Sequence, residues 1–289
     1  MPPPTAANHS TRSGARRRNV NNNVKQTLLL WAGLTGALGI WFLTPAADYI
    51  TDLLLDYVPI ESDIEMGVQA WKSMKREYRS VRDVWGIQEI GNSLVASLPR
   101  NEQKLAWDFG VIDGDFVNAF ALPGGIVRVT NSLLSQLNLS RGEIAALLGH
   151  EMGHVVHRHS QARMLQEKLI GYLFKAATYE DNDNHQETLG EAIGELLLKS
   201  AAFVGQQKFS RKDEYEADAT SWELMIASQR YSPKAMQSLL QKLWDLSGGS
   251  GETSWESTHP GTKDRINALQ EKWDNLPVSQ RNRLSALKR

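Results

Sequence analysis

Residues 139–160 read LSRGEIAALLGHEMGHVVHRHS. Ser140 followed three positions later by Glu143 is a capping box, which starts a helix by satisfying backbone N–H groups that have no intrahelical partner. Ile144, Leu148, Met152 and Val155 then recur at helical spacing and form one apolar face. His150 and His154 fall on another face, one turn apart, so both imidazoles reach a single metal ion while Glu151 projects beside them. This is the His-Glu-x-x-His zinc motif, and the cap and the small Gly149 and Gly153 beside the ligands strengthen it. Two neutral imidazoles suit Zn²⁺, which in a catalytic site takes three protein ligands and a water, and Glu151 is placed to remove a proton from that water.

The two histidines need a third ligand. The longer pattern His-Glu-x-x-His-x-x-Gly-x-x-His fails, because position 157 is His157 and position 160 is Ser160. A ligand at His157 would require one ion to touch three successive turns, so His157 and His159 read as surface residues or as supports for a ligand. His9 and His185 stand in polar segments and need no role. Residues 210–229, SRKDEYEADATSWELMIASQ, offer more. Ser210 and Asp213 cap a second helix, with Tyr215, Ala219, Trp222 and Ile226 expected as its apolar face. Glu214 and Asp218 lie four apart on the other face. Two such carboxylates are ordinarily a solvated surface, but beside a site short of one ligand Glu214 completes a His₂Glu set. Asp218 is then expected to accept the remaining ring N–H of a ligand histidine. Glu216, about 160° from Asp218 on the helical wheel, reads as a bystander.

The remainder bounds the setting. A chain of 289 residues with no cysteine excludes disulfides, thiolate metal sites and a lipoprotein anchor, so any metal is held by His and carboxylate. The net charge of −1 gives no reason to expect nucleic acid, yet it is unevenly spread. No acidic residue precedes Asp48, whereas Arg12, Arg16, Arg17, Arg18 and Lys25 leave that segment near +5 and the rest near −6. Residues 1–24 read as a disordered basic leader. Residues 25–47 read as a transmembrane anchor. The uncharged run from Gln26 to Leu43 would span roughly 26 Å as a helix, with Trp31 and Trp41 as interface anchors. A signal peptide cut near Thr44-Pro45-Ala46-Ala47 and an organelle transit peptide compete with an uncut anchor, and composition does not separate them. Residues 48–63 are an apolar connection at the membrane interface, broken at Pro59.

Two amphipathic helices follow, one through Ile64, Val68 and Trp71 and one through Ile87, Ile90, Leu94 and Leu98. From Leu105 to Thr130 the period changes. Trp107–Ile112 and Asp115–Phe120 read as strands joined by an Asp113-Gly114 turn, and Ile126–Thr130 as a third, giving a small antiparallel sheet before the metal helix. Such a sheet either covers the core or offers an edge strand to an extended peptide. Residues 162–178 and 187–206 read as helices around an acidic loop, and Ser232-Pro233 begins another. His259-Pro260 follows a flexible Gly248–Gly251 loop, and residues 276–289 read as a polar tail.

HEMGH at 150–154, the following ARM, SRKDEYEAD at 210–218, NAFALPGG at 118–125 and STHPGTKDRI at 257–266 together resemble the M48 metallopeptidases, in the branch of the Oma1-like and BepA-like proteases. The resemblance covers most of residues 64–270 and departs from the multi-spanning members, since only one membrane segment is legible here. It implies an α+β, mostly helical, gluzincin-type peptidase domain over residues 64–275, holding one Zn²⁺ on His150, His154 and Glu214 with Glu151 as base. It implies that the segment Asn118, Ala119, Phe120, Gly124, Gly125, Ile126 and Val127 borders the substrate cleft. It also implies that His259 faces the metal, either stabilising an oxyanion or capping the zinc at rest. The expected function is a single-pass, membrane-anchored endopeptidase of protein quality control acting on protein or peptide substrates. Its place would be a mitochondrial inner membrane or a bacterial inner membrane with a periplasmic domain; a homo-oligomer is compatible with this, and nucleic acid is not expected. The rival is a catalytically silent, zinc-stabilised scaffold that binds unfolded chains, against which an intact Glu151 argues.

Overall fold

The computed structural model describes residues 49–51, 53–167, 208–249 and 253–287. The expected leader, the anchor over 25–47, the helix over 187–206 and most of that over 162–178 lie outside them. Among the described residues no helix is long and apolar enough to cross a membrane. The chain divides at Ile50, and the fold described below belongs to the unit from Thr51 onward.

That unit is mostly helical around a four-stranded sheet. Helix α1 (Ile60–Met74) follows directly on Pro59, β1 (Ser80–Val81) comes next, and α2 (Ile87–Val95) starts after Gly86. Strands β2 (Asp108–Ile112), β3 (Ala119–Leu122) and β4 (Ile126–Thr130) lead through α3 (Asn131–Leu137) into the metal helix α4 (Arg141–Val156). Helices α5 (Arg211–Ser228), α6 (Lys234–Leu246), α7 (Ser254–Thr258), α8 (Thr262–Asp274) and α9 (Val278–Ser285) follow among the described residues. The stretch read as a polar tail thus contains α9, whose Leu284 is buried in the core.

The sheet corrects the antiparallel expectation: it is mixed, in the order β1-β2-β4-β3, with β2 parallel to β4 and the other two pairs antiparallel. A two-residue Asp-Gly hairpin needs positive φ at both residues, and neither Asp113 nor Gly114 has it. Side chains from the start of α3 take this turn instead. The Asn131 amide donates to Asp113 at 2.8 Å, and its oxygen accepts the Gly114 N–H at 3.1 Å. Held there, the chain runs on past β4 and lays β3 along its far side as an edge strand. The Thr130 N–H donates to the Asn118 carbonyl at 2.9 Å. By the alternation of an antiparallel pair, the backbone groups of Ala119 and Ala121 then face outward.

The capping box of α4 forms as expected. Its single apolar face does not, because every residue from Gly142 to Val155 is buried. Such a helix is surrounded on all sides, and α5 supplies one wall, the Ser221 hydroxyl donating to the Ala146 carbonyl at 2.8 Å. The apolar face expected for α5 is also corrected. Tyr215 and Ala219 are exposed, whereas Glu214, Ala217, Asp218, Ser221, Trp222, Leu224 and Met225 are buried. The inward face carries acids and small residues, so hydrophobicity alone points to the wrong side. Helix α4 ends at Val156, and two residues further on stands Arg158, a non-glycine residue at φ 56°. Its guanidinium donates to the carbonyls of Leu55 and Val58 at 2.6 and 3.1 Å and to the buried Asp63 at 2.8 Å, after which helix resumes at residue 159.

Candidate metal centre

His150, His154, Glu214 and His259 are all buried, and one possible ligand atom from each lies within 4.8 Å of the others. Helix α4 presents the first two and α5 the third. His150 Nε2 and His154 Nε2 are 3.1 Å apart, and they stand 3.5 and 3.4 Å from the two oxygens of Glu214. A tetrahedral ion with ligands at 2.0–2.2 Å keeps its ligand atoms roughly 3.3–3.6 Å apart, and these spacings, slightly tighter between the two imidazoles and shared between the two Glu214 oxygens, bring the three residues within reach of one zinc ion. Glu214 Oε1 and His259 Nε2 are buried and make no hydrogen bond, which is the condition of atoms directed at a cation.

Hydrogen-bond partners orient these side chains. With His150 Nε2 facing the cluster, its Nδ1–H donates to Asp218 Oδ1 at 2.9 Å. Asp218 is gripped by Arg265 of α8, which donates to its two oxygens at 2.7 and 2.6 Å and also to Glu214. Arg265 is itself buried, 1% exposed, and its guanidinium lies 5.2 Å from the Trp255 ring. His259 follows α7 and stacks on Trp255 at 4.6 Å, with its Nδ1 bonded to the Thr258 hydroxyl at 2.8 Å. Its Nε2 stands 3.5 Å from Glu151 Oε1.

Burial dominates the electrostatics. It holds His150, His154 and His259 well below their ordinary range, so all three are neutral and keep a lone pair for a metal. Burial raises Glu151 to about 8, with the charge of Glu214 adding to the rise. Glu214 is raised to about 7, again by burial first, against the lowering pull of Arg265 and His259. Arg265 moves the other way: burial would lower it, but Asp218 and Glu214 hold it firmly charged. Neither Glu151 oxygen makes a hydrogen bond of ordinary geometry, although the Ala121 N–H of β3 lies near enough to oppose its rise. The edge strand therefore runs beside Glu151.

The structure brings together His150, Glu151, His154, Glu214, Asp218 and His259. The segment expected to border the cleft is divided: Asn118 precedes β3, Ala119 and Phe120 lie in it, Gly124 and Gly125 form the turn, and Ile126 and Val127 enter β4. All seven are buried, so what this segment offers is the outward backbone of β3. Sequence reasoning missed Arg265, although it stands inside the STHPGTKDRI stretch, because its partners lie 47 and 51 positions away. It also took Glu216 for a bystander, whereas Glu216 accepts from His159, which contacts His154.

Two helical imidazoles, a glutamate from a crossing helix and a buried glutamate beside them are the donor set of a metal-dependent hydrolase of the gluzincin kind. Residues 84–273 match the family described as Peptidase family M48, and the chain belongs to that family. It is similar to the mitochondrial metalloendopeptidase OMA1 of Schizosaccharomyces pombe, at 34% identity over 78% of this chain and 68% of the relative. It is similar to the OMA1 of Arabidopsis thaliana, at 32% identity over 58% of this chain and 32% of the relative. It also resembles the beta-barrel assembly-enhancing protease of Yersinia pestis, at 27% identity over 76% of this chain and 46% of the relative. The chain thus spans only about a third to two thirds of the length of these relatives.

Proposed function

We propose that this chain is a zinc-dependent metalloendopeptidase of membrane-associated protein quality control. The observation that carries it is the convergence of His150, His154 and Glu214, with one possible ligand atom from each close to the others, and an unpartnered Glu151 beside them. A zinc ion held there would polarise the scissile carbonyl and lower the pKa of its bound water, so that hydroxide becomes available as nucleophile. Glu151, buried beside the same point, takes the proton from that water and returns it to the leaving amine. His259 Nε2 faces the same point and either stabilises the oxyanion or occupies the fourth position at rest. The outward edge of β3, where the backbone groups of Ala119 and Ala121 do not pair with β4 and the Ala119 N–H is held only by the Asn118 side chain, is placed to pair with an extended substrate backbone, a mode that accepts many sequences, as quality control requires.

The uncharged run from Gln26 to Ala47, outside the described residues, supplies a single-pass anchor with the arginines on the cytoplasmic or matrix side. The names of two relatives support a mitochondrial setting, and the third relative is bacterial. The test is cleavage of unfolded casein by the purified chain, with and without chelator, beside Glu151→Gln. Cleavage should require zinc and vanish in Glu151→Gln while that variant keeps its zinc. Turnover by Glu151→Gln at the native rate would overturn the assignment.

A further inference from the structure

His154 is supported differently from His150. Its Nε2 faces the ligand cluster, so the proton sits on Nδ1, which donates to His159 Nδ1 at 2.9 Å. His159 must then carry its own proton on Nε2, and that N–H donates to Glu216 Oε2 at 3.1 Å. His159 is buried, 5% exposed, and stacks at 5.4 Å on the ring of His157, which is bonded at 2.9 Å to the Thr220 hydroxyl. His150 reaches its carboxylate directly, whereas His154 reaches one through an intervening imidazole.

The backbone explains how His159 comes to be there. Five residues on along an unbroken helix, its side chain would point about 140° away from that of His154. Arg158, at φ 56°, breaks the helix between them and turns His159 back beneath His154. That conformation disfavours a residue with a Cβ, and here it is pinned by the bonds from Arg158 to Leu55, Val58 and Asp63.

We infer that His159 is a positioning residue for the metal: with Glu216 it fixes the Nδ1–H tautomer and ring angle of His154. The inference rests on the proposed zinc set. A hydrogen-bond partner of a ligand imidazole typically changes metal affinity 10–100-fold when removed. His159→Phe keeps the ring and removes the acceptor, and Glu216→Gln, at a half-buried position, removes only the charge. Zinc affinity, measured by chelator competition on the full chain, should fall about 10–100-fold in His159→Phe and by less in Glu216→Gln. The double variant should be no weaker than His159→Phe alone, because the glutamate acts through the histidine. The metal-free melting temperature of Glu216→Gln should match that of the native chain, which separates a loss of ligand support from a loss of fold. Native affinity in both single variants, or additive losses in the double variant, would overturn the inference. Absence of zinc binding in the native chain would instead overturn the site itself.

Discussion

Gly153 of α4 and Ala217 of α5 meet backbone to backbone: a Cβ on Gly153 would lie 2.7 Å from Ala217 Cα and 2.9 Å from its carbonyl oxygen. Glu214 and Asp218 reach the histidines from the turn of α5 around this contact. The approach of the two helices therefore sets the distance between the histidines and the carboxylate proposed to hold the metal. Neither obstructing atom belongs to a side chain that can swing away, so α5 itself must shift. Gly153→Ala should cost about 1–3 kcal/mol, as overpacking a core usually does, lowering Tm by roughly 3–10 °C. It should also weaken zinc binding, because a shift of even a fraction of an ångström separates Glu214 from His154. Calorimetric titration with zinc checks this, and native affinity would show that the helices do not set the site.

The two carboxylates of α5 should fail differently. Glu214→Ala removes a ligand and should leave no zinc after dialysis. Asp218→Ala removes the acceptor of the His150 ring proton and should retain zinc with affinity down about 10–100-fold. Zinc content by atomic absorption distinguishes them, and full occupancy in Glu214→Ala would mean the third ligand lies elsewhere.

Arg265 holds both carboxylates at once, so its loss should be felt in the fold as well as the site. Removing one partner of a buried ion pair typically costs about 3–5 kcal/mol, because the remaining charge is left uncompensated. Arg265→Met should approach that loss in metal-free protein by urea titration. Arg265→Lys should recover little, since a single ammonium cannot span Asp218 and Glu214 as the planar fork does. A lysine variant of native stability would reduce Arg265 to a simple counter-charge.

What the sequence disclosed and what it hid follow from the reach of each interaction. The α4 cap, the His150–His154 pair and the spacing of Glu214 and Asp218 are set within one helical turn, and these were legible. The sheet order was not, because Asn131 takes the Asp113-Gly114 turn from 17 and 18 positions away. The inward face of α5 was misread because it buries acids that periodicity assigns to solvent. His159 was ambiguous because its position depends on the positive φ of Arg158, itself held by a segment about 100 residues earlier. Long-range polar contacts thus account for most of what was missed, and they are concentrated around the metal centre.

Glu143 offers a test away from the metal, at the start of the same helix. It is 4% exposed and accepts from the Ser140 N–H at 2.7 Å, from Lys242 at 2.8 Å and from the Ser238 hydroxyl at 2.7 Å. Burial alone would raise its pKa, but Lys242, Ser238 and Ser140 together more than offset that and hold it below the usual 4.5. A carboxylate lowered by folding contributes stability that is complete above its unfolded pKa and lost as pH falls through the folded value. The contribution of Glu143 should therefore be constant near neutrality and disappear progressively below pH 4.5. Glu143→Gln should be less stable at pH 7 by about 1.5–3 kcal/mol, the usual worth of hydrogen bonds to a charged group. Asp213 and Asp113 are lowered in the same way and add to the acid sensitivity of both proteins, so the informative quantity is the difference between native and variant. Urea titrations in chelator from pH 7 to about pH 3 should show that difference shrinking below pH 4.5. A difference that stays constant across the range would mean that the Glu143 charge contributes nothing and that its packing alone secures the start of α4.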